Sequence, residues 1–371
     1  MFKILISGYY GFNNIGDESI LRAVVDNLRD RLDNIEITVL SQDPVSTSEK
    51  YGVKSVNRKS MKSIFGAVRK CDLLISGGGS LLQDVTSKKS VIYYLLIMWM
   101  AMFCRKKVFI YSQGIGPINS NINRRLTSMT LKKAAAIVVR DEASKEFLGE
   151  IGVDKDRVVV TADPVLRIKP APLEIGEEIL RKEGIEISRE QLTVGFAIRE
   201  RKLDSDFMDE LCRSIEKLVL EKDAQIVLIP FHYSEDIRVI EEIERRMEGK
   251  VELKNRIFSV KHKYLTNEML SIIGNMDLLV GVRLHALIHS AIMNVPMIGI
   301  SYDPKVNSFL KSIGMKAMCS IYDFDCDDFI DVFEKTIREK DAVQQKVQDR
   351  LVGLIRTLDT NEEMIKKMME K

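Results

Sequence analysis

The sequence predicts an α/β protein built from two Rossmann-like domains that face each other across a cleft. Short apolar runs alternate with helical patterns from the amino terminus, which is typical of parallel sheets covered by helices. The alternation lapses where three of the eight prolines fall, at positions 164, 170 and 172, and then resumes. With 371 residues, 45% of them hydrophobic, the chain is long enough to form two cores.

The pattern assigns residues 1–168 to the first domain and residues 185–340 to the second. Strands of the first domain are predicted at 2–7, 35–40, 73–76, 108–112 and 136–139. Strands of the second are predicted at 192–198, 225–229, 278–280 and 297–300. We expect a linker near residues 165–190, and a helical segment over 341–371 that packs back on the first domain.

Composition narrows the class of protein. A net charge of +2, from 56 basic and 54 acidic residues, gives no overall field that would attract nucleic acid. The five cysteines are scattered, without a CxxC pair or a His/Cys cluster spaced for zinc, so we expect a reducing compartment and no metal site. The apolar stretch before Gly8 is too short for a signal peptide, and we expect a cytoplasmic protein.

Basic residues and histidines concentrate in and around residues 281–305. Arg283 and His285 fall at the predicted start of a helix, where backbone N–H groups and the helix dipole favour bound anions. Lys305 follows the next strand, and parallel strands end at the same edge of a sheet. Because Arg199 and His232 also follow strands, we expect these side chains to line one site for a phosphorylated or carboxylated substrate.

Three loops rich in glycine follow strands of the first domain, which predicts a ligand at its carboxyl edge. Their spacing matches neither GxGxxG nor the Walker pattern, so the loops are a weak nucleotide signature. A plain turn explains any one loop alone, whereas three loops on one edge favour a ligand. The loop residues predicted to approach it are Gly16, Gly77, Gly78, Gly79, Gln113 and Gly114.

For four further polar residues, a structural role competes with a role in a site. Asp17 either caps a helix or accepts a proton from a sugar hydroxyl, and we favour the second role. Arg140 ends a strand on the same edge, where a surface salt bridge is the alternative. His232 is an equally good structural hydrogen-bonding residue, and His289, one turn beyond His285, is assigned to packing.

An apolar segment begins at Val91 and turns basic by Lys107. Its apolar part, residues 91–104, would be about 21 Å long as a helix, which is short of the roughly 30 Å hydrocarbon core of a bilayer. We therefore expect a helix buried between the sheet and its neighbours. The alternative is a peripheral contact with the inner face of the membrane, or with a lipid-linked substrate.

Taken together, several motifs resemble the polysaccharide pyruvyl transferase family, of the CsaB type associated with cell-wall anchoring of surface-layer proteins. The motifs are GYYGFNNIGDE at 8–18, SGGGSLLQDVTS at 76–87, QGIGP at 113–117, RD at 140–141, ADPV at 162–165, GVRLHALIHSA at 281–291 and GISYDPK at 299–305. The resemblance covers most of the chain. One departure follows Arg199, where an aromatic residue is expected but Glu200, Arg201 and Lys202 stand.

The resemblance implies a GT-B-like fold, phosphoenolpyruvate as donor substrate without any cofactor, and a lipid-linked acceptor saccharide containing N-acetylmannosamine. It also implies that Arg140, Arg283, His285 and Lys305 are catalytic or donor-binding residues. From the chemistry of the reaction, we expect Asp17 to act as a base toward the acceptor. Two alternatives stay open: a GT-B glycosyltransferase that uses a nucleotide-sugar donor, and a non-catalytic saccharide-binding protein.

Overall fold

In a computed structural model, the chain forms two compact units, each built around a parallel sheet with helices packed on it. Unit 1 comprises Met1–Ile168 and Gly353–Lys371, and unit 2 comprises Lys169–Val352. The predicted class, two Rossmann-like α/β domains, is confirmed. The residues that the structure describes are 1–85, 87–188, 190–199 and 205–370.

Unit 1 contains a sheet of order β3-β2-β1-β4-β6-β7-β8, with β5 paired to the end of β6. Its strands are β1 (Phe2–Tyr10), β2 (Ile35–Ser41), β3 (Lys54–Asn57), β4 (Leu73–Ser76), β5 (Gly79–Leu82), β6 (Lys107–Ile115), β7 (Ala136–Val139) and β8 (Val158–Val160). Its first six helices are α1 (Ile15–Arg31), α2 (Pro44–Tyr51), α3 (Met61–Lys70), α4 (Lys88–Phe103), α5 (Asn121–Leu131) and α6 (Glu142–Glu150).

Unit 2 contains a sheet of order β11-β10-β9-β12-β13-β14. Its strands are β9 (Thr193–Ala197), β10 (Gln225–Leu228), β11 (Ile257–Ser259), β12 (Leu278–Gly281), β13 (Met297–Ser301) and β14 (Cys319–Ser320). Its helices are α7 (Leu173–Lys182), α8 (Ser205–Lys222), α9 (Tyr233–Met247), α10 (Thr266–Gly274), α11 (Leu284–Ile292), α12 (Pro304–Ser312) and α13 (Cys326–Arg338). The chain ends with α14 (Lys340–Thr357) and α15 (Asp359–Met369).

The central strands are apolar on both faces because helices cover both faces of a parallel sheet. Every residue of β4, β9 and β12 is buried. Each sheet therefore lies inside its own unit, and its polar side chains collect at the strand ends. This arrangement is why chemistry in such folds is found at the carboxyl edge.

The stretch near 165–190, which the sequence predicts as a linker, is a folded part of the chain. Helix α7 occupies 173–182 and packs against α10. Gly176 donates its backbone N–H to Ser271 Oγ at 2.8 Å, so the two helices approach closely. The boundary between the two units falls inside this stretch, after Ile168. The prolines do not keep the stretch irregular, because Pro170 and Pro172 precede the helix rather than interrupt it, and proline is well tolerated where a helix begins.

Helix α15 belongs to unit 1, where it packs against α1. Several of its contacts within unit 1 are polar and buried. The Tyr111 hydroxyl donates to the Glu362 carboxylate, Arg167 pairs with Glu362 at 3.0 Å, and Asn361 donates to Ser112 Oγ at 2.9 Å. Burial raises the pKa of Glu362, against the opposing effect of Tyr111 and Arg167.

Helix α4 contains the apolar segment that the sequence singles out, and it buries Val91, Tyr94, Leu95, Met98 and Ala101. Nowhere in the described part of the chain does a helix have both the length and the apolar composition needed to cross a membrane.

Candidate active site

The carboxyl edge of the unit 2 sheet gathers the side chains that the sequence assigns to this unit. Strands β10, β9, β12 and β13 are neighbours and run parallel, so their carboxyl ends share one edge. The residues that follow these strands are His232 after β10, Arg199 after β9, Arg283 and His285 after β12, and Lys305 after β13. All five residues therefore follow strands that end at one edge, and their role in a single site stays a prediction.

Arg283 is held by a buried carboxylate. Its Nε donates to Asp236 Oδ2 at 3.1 Å, and its Nη2 donates to the second oxygen of the same group. Asp236 also accepts the backbone N–H groups of Phe231, at 3.0 Å, and His232, at 2.8 Å. The orientation of the guanidinium is therefore fixed by a bidentate, charge-assisted pair. Sequence reasoning missed Asp236, although an acid in the first turn of α9 was visible.

Arg283 also stands at the N-cap position of α11. Its side chain makes no cap hydrogen bond, because a guanidinium has no acceptor. By contrast, α6 and α13 are capped by Asp141 and Asp325, which accept backbone N–H groups of the first turn. The amino-terminal end of α11 thus combines a fixed cation with a first turn that its N-cap side chain leaves uncapped, an arrangement that favours a bound anion.

Arg199 lies against an aromatic ring. Its guanidinium carbon is 5.0 Å from the ring centre of Tyr302, and its Nη1 donates to the tyrosine hydroxyl. The aromatic neighbour that the sequence lacks after Arg199 is therefore supplied by Tyr302, which directly follows β13. The departure at residues 200–202 lies outside the described residues. Stacking and hydrogen bonding together restrict the guanidinium, which prepares it for a planar anionic group.

Glu235 lies among these cations. Its carboxylate is 2.9 Å from His232 Nδ1 and 3.6 Å from Arg283 Nη2. Burial opposes ionisation, but the hydrogen bond from His232 and the charges of Arg283 and Arg199 prevail and lower the pKa of Glu235. Glu235 is thus a hydrogen-bonding partner for His232, which fits the structural role considered for that histidine, and it also contacts Arg283.

The two histidines of α11 differ in environment. His285 is in the first turn and partly exposed, whereas His289 is fully buried with its ring centre 5.3 Å from that of Phe231. Burial, with a smaller contribution from the charge of His285, lowers the pKa of His289 to about 3. His289 is therefore a neutral packing residue near pH 7, as the sequence predicts, and His285 is the partly exposed histidine of this helix.

Lys305 is in the first turn of α12, a helix capped by Asp303. Its Nζ is 3.3 Å from Asp303 Oδ2, and its side chain is partly exposed. The lysine is thus at the predicted edge.

In unit 1, two glycines are explained by packing. The fully buried Tyr10 ring passes so close to Gly8 and Gly77 that a Cβ at either position would lie 2.2 Å from its atoms. Gly78 is likewise crowded by Ile20, at 2.8 Å from the position of a Cβ. Sequence reasoning treated Gly77 and Gly78 as bare backbone for a ligand and missed Tyr10. Their role in binding stays a prediction, whereas their need for a missing side chain has a structural cause.

The loop between β1 and α1 differs from the prediction at Gly16. Gly16 lies in the first turn of α1, where its N–H donates to Asn14 Oδ1 at 3.0 Å, so it does not form the turn. The turn glycine is Gly11, with φ +80°, and its N–H donates to Glu18 Oε1 at 2.8 Å. The Asn14 side chain is already the cap, so the capping role considered for Asp17 is filled. A Cβ at Gly79 would lie 3.3 Å from Asp17 Oδ1, which puts the carboxylate beside the second glycine loop.

Arg140 is an internal residue whose side chain is 5% exposed. Its Nη1 pairs with Asp163 at 2.8 Å, and its Nη2 donates to Ser80 Oγ at 3.2 Å. A Cβ at Gly114 would lie 2.8 Å from its Nε, so this loop needs glycine to pass the guanidinium. The surface salt bridge considered from sequence is in fact a buried pair. This geometry fits a residue that positions the loops, and the catalytic role of Arg140 stays a prediction.

Gln113 is fully buried beside Gly114, and its Oε1 accepts a hydrogen bond from Ser76 Oγ at 3.3 Å. This contact joins the ends of β4 and β6 beneath the glycine loops. Gln113 thus fixes the ends of the two strands that precede the glycine loops, and its contact with substrate stays a prediction.

Arg58 joins the first glycine loop to helix α4. Its guanidinium lies among the rings of Tyr9, Phe12, Tyr93 and Tyr94, 4.9 to 5.7 Å from their centres. It donates to the Gly8 carbonyl at 2.9 Å and to the Tyr94 hydroxyl at 3.2 Å. Sequence reasoning missed this cluster, because its members come from three separate segments.

Residues 14–304 match the family model of polysaccharide pyruvyl transferases, and the chain belongs to this family. The match contains every predicted site residue except Lys305, which follows it directly. The chain is also 21% identical to the amylovoran biosynthesis protein AmsJ of Erwinia amylovora, over 86% of this chain and 88% of that protein. The protein is therefore a transferase of polysaccharide pyruvylation, whereas the CsaB type stays a prediction.

Solved structures similar to this chain share its fold at low sequence identity. Anabaena Alr3699/HepE in complex with UDP-glucose is 9% identical with a TM-score of 0.66, and the alignment covers 100% of both chains. The UDP-GlcNAc 2-epimerase of Neisseria meningitidis bound to UDP-GlcNAc is 14% identical with a TM-score of 0.64, over 99% of this chain and 100% of that chain. These likenesses confirm the GT-B-like fold.

Proposed function

We propose that the protein transfers the pyruvyl group of phosphoenolpyruvate to a lipid-linked cell-wall saccharide that contains N-acetylmannosamine. The product is a cyclic pyruvate ketal, and inorganic phosphate is released. Membership of the family supports pyruvylation of a polysaccharide in general. The proposal adds the identity of the donor, phosphoenolpyruvate, and of the acceptor saccharide. An acceptor of this kind would make the protein one of the CsaB type.

One observation carries the choice of donor: cations converge on the carboxyl edge of the unit 2 sheet. Phosphoenolpyruvate is small and carries both a carboxylate and a phosphate, so it needs several cationic contacts at short range. Arg283 donates from Nε and Nη2 to Asp236, and the Nη1 hydrogens remain as donors to a ligand. Arg199, stacked on Tyr302, and Lys305 supply two further cations on the same edge.

His285 is the proposed acid. Its protonated imidazole gives a proton to the methylene carbon, so that the C=C electron pair forms the new C–H bond and positive charge develops at C2. A sugar hydroxyl then bonds to C2, and the neutral imidazole takes the proton that this hydroxyl loses. A second hydroxyl of the same sugar displaces phosphate from C2, and its proton leaves with the phosphate.

The test measures phosphate release from phosphoenolpyruvate by the purified protein, with and without a synthetic lipid-diphosphate disaccharide containing N-acetylmannosamine. We expect release only with the acceptor, and an acceptor mass gain of one pyruvic acid less one water. Consumption of UDP-sugars with no phosphate release from phosphoenolpyruvate would move the assignment to a glycosyltransferase. Binding of the disaccharide with neither reaction would leave a saccharide-binding protein.

A pair of lysines on one helix provides the matched control. Lys305→Met removes a cation from the proposed donor site, and we expect KM for phosphoenolpyruvate to rise about 10- to 100-fold, the effect of one hydrogen bond to a charged group. Lys311→Met changes an exposed lysine of the same α12 helix. An equal effect of both substitutions on KM would remove Lys305 from the donor site.

A further inference from the structure

Helix α4 presents a continuous apolar stripe to solvent in addition to its buried face. Ile92, Leu96, Trp99 and Phe103 are exposed, Trp99 to 36% and Phe103 to 84%. Their spacing of four, three and four residues puts them on one side of the helix. Burial of the opposite side against the sheet therefore accounts for only part of the apolar character of this segment.

The stripe continues onto the two helices beside α4. Helices α3 and α5 both pack against α4, and each exposes two large apolar side chains: Met61 and Phe65 on α3, and Ile122 and Met129 on α5. The Trp99 indole N–H donates to Thr130 Oγ1 at 2.7 Å, so the tryptophan ring lies along the boundary of α4 and α5. We call this surface of three helices the α3–α5 face.

The segments that contain this face carry charge of one sign, although the whole chain is nearly neutral. Residues 85–139 contain no aspartate or glutamate and nine lysines and arginines, in clusters at 88–89, 105–107, 124–125 and 132–133. Residues 50–71, which include α3, contain seven basic residues and no acidic one. The segments that form this face therefore carry many cations and no acidic residue, although Arg58 is buried, Lys54 pairs with Glu36 and Lys107 donates to the Met368 carbonyl.

We propose that the α3–α5 face docks on the surface of an anionic lipid bilayer. The apolar stripe would enter the boundary between headgroups and acyl chains, while the flanking cations contact lipid phosphates. A second copy of the chain is a poorer partner, because a two-fold interface would set this face against itself and bring like charges together. The charge pattern therefore selects an anionic partner, and the apolar stripe selects one with an apolar interior.

The docked helix would hold the first glycine loop at a fixed place relative to the bilayer. Tyr94 of α4 accepts a hydrogen bond from Arg58, which donates in turn to the Gly8 carbonyl, and the Tyr93 hydroxyl donates to the Arg58 carbonyl at 2.8 Å. A lipid-linked acceptor is confined to the membrane, so such an arrangement brings unit 1 to it. This consequence rests on the proposed function, whereas the docking itself does not.

Vesicle binding without any substrate tests the docking. We expect the protein to sediment with vesicles containing phosphatidylglycerol, to stay in solution with pure phosphatidylcholine vesicles, and to dissociate as salt rises. Trp99 is the single tryptophan of the chain, so its emission should shift to the blue on binding. Absence of binding to the anionic vesicles at low salt, or an unchanged emission, would overturn the proposal.

Two variants and one matched control locate the contact. Phe103→Ser should weaken binding about tenfold or more, as expected for losing one buried aromatic side chain. The control Leu220→Ser removes an exposed apolar residue of unit 2 and should bind like the wild type. Replacing both Lys88 and Lys89 by glutamine should weaken binding about fivefold per charge. Equal binding by Phe103→Ser and Leu220→Ser would contradict the assignment of the face.

The remaining outcomes separate this proposal from its rivals. A dimer that Phe103→Ser converts to a monomer, with vesicle binding unchanged, would make the face an interface between two copies instead. Phosphate release with a water-soluble acceptor analogue should be unaffected by Phe103→Ser. If the wild type releases no phosphate from phosphoenolpyruvate, only the proposed function is contradicted, because vesicle binding is measured without substrates.

Discussion

The buried pair between Arg283 and Asp236 gives the sharpest prediction about the site. Asp236→Asn keeps the volume of the side chain but removes its charge, so the mostly buried guanidinium loses its bidentate ionic partner and keeps only the longer contact with Glu235. Removing one partner of a buried ion pair typically costs about 3–5 kcal/mol. Since each kcal/mol lowers the melting temperature of a unit of this size by about 2–4 °C, we expect a fall of about 6–20 °C.

A double substitution separates stability from chemistry. In Asp236→Asn combined with Arg283→Met neither charge is left, so most of the lost stability should return, because replacing both partners of a buried pair is often nearly neutral. Phosphate release should not return, since the double variant lacks the Arg283 guanidinium that is proposed to bind phosphoenolpyruvate. Thermal unfolding and phosphate release, measured on the wild type, both single variants and the double variant, complete the cycle. A double variant no more stable than Asp236→Asn, or an Asp236→Asn protein as stable as the wild type, would refute the reasoning.

Three further predictions follow from individual residues. Because folding lowers the pKa of His289 from 6.5 to about 3, the unfolded chain binds more protons than the folded chain below pH 6.5. The free energy of unfolding should therefore drop by about 2 kcal/mol from pH 7 to pH 5, and denaturant titrations should show a smaller drop for His289→Phe. His285→Ala should lower the rate of phosphate release about 100- to 10,000-fold, and the same rate in this variant as in the exposed-histidine control His262→Ala would exclude it as the acid. Gly77→Ala should lower the free energy of unfolding by about 1–3 kcal/mol, because the new methyl would lie 2.2 Å from the buried Tyr10 hydroxyl. Gly66→Ala, which has open space around it, should not, and equal unfolding midpoints of the two variants would contradict this account.

Several features of the site follow from local sequence alone. The start of α11 was predictable because a strand pattern ends at Gly281 and a helical pattern begins directly after it. The gathering of Arg199, His232, Arg283 and Lys305 at one edge was also predictable, since every strand of a parallel sheet ends on the same side. The packing of His289 followed from its place one turn further into the same helix.

Other features depend on which segments become neighbours, and the sequence does not record this. Asp236 and Arg283 are 47 residues apart along the chain. They meet because β10 and β12 lie on either side of β9 in the sheet and both strands end at the same edge. Tyr10 fills the space beside Gly77 because β1 pairs with β4. In each case the informative residue looked ordinary in the sequence, because its partner lies far along the chain.

The sequence by itself determined the two Rossmann-like sheets, the family, and the edge on which the cations of unit 2 collect. These depend on hydrophobic periodicity and on the position of a residue relative to its own strand, which are local properties. Only the tertiary structure decided the partners of Arg283 and Arg140 and the surface onto which the stripe of α4 extends. These depend on side chains that meet across the sheet or between helices, and such contacts exist only once the chain has folded.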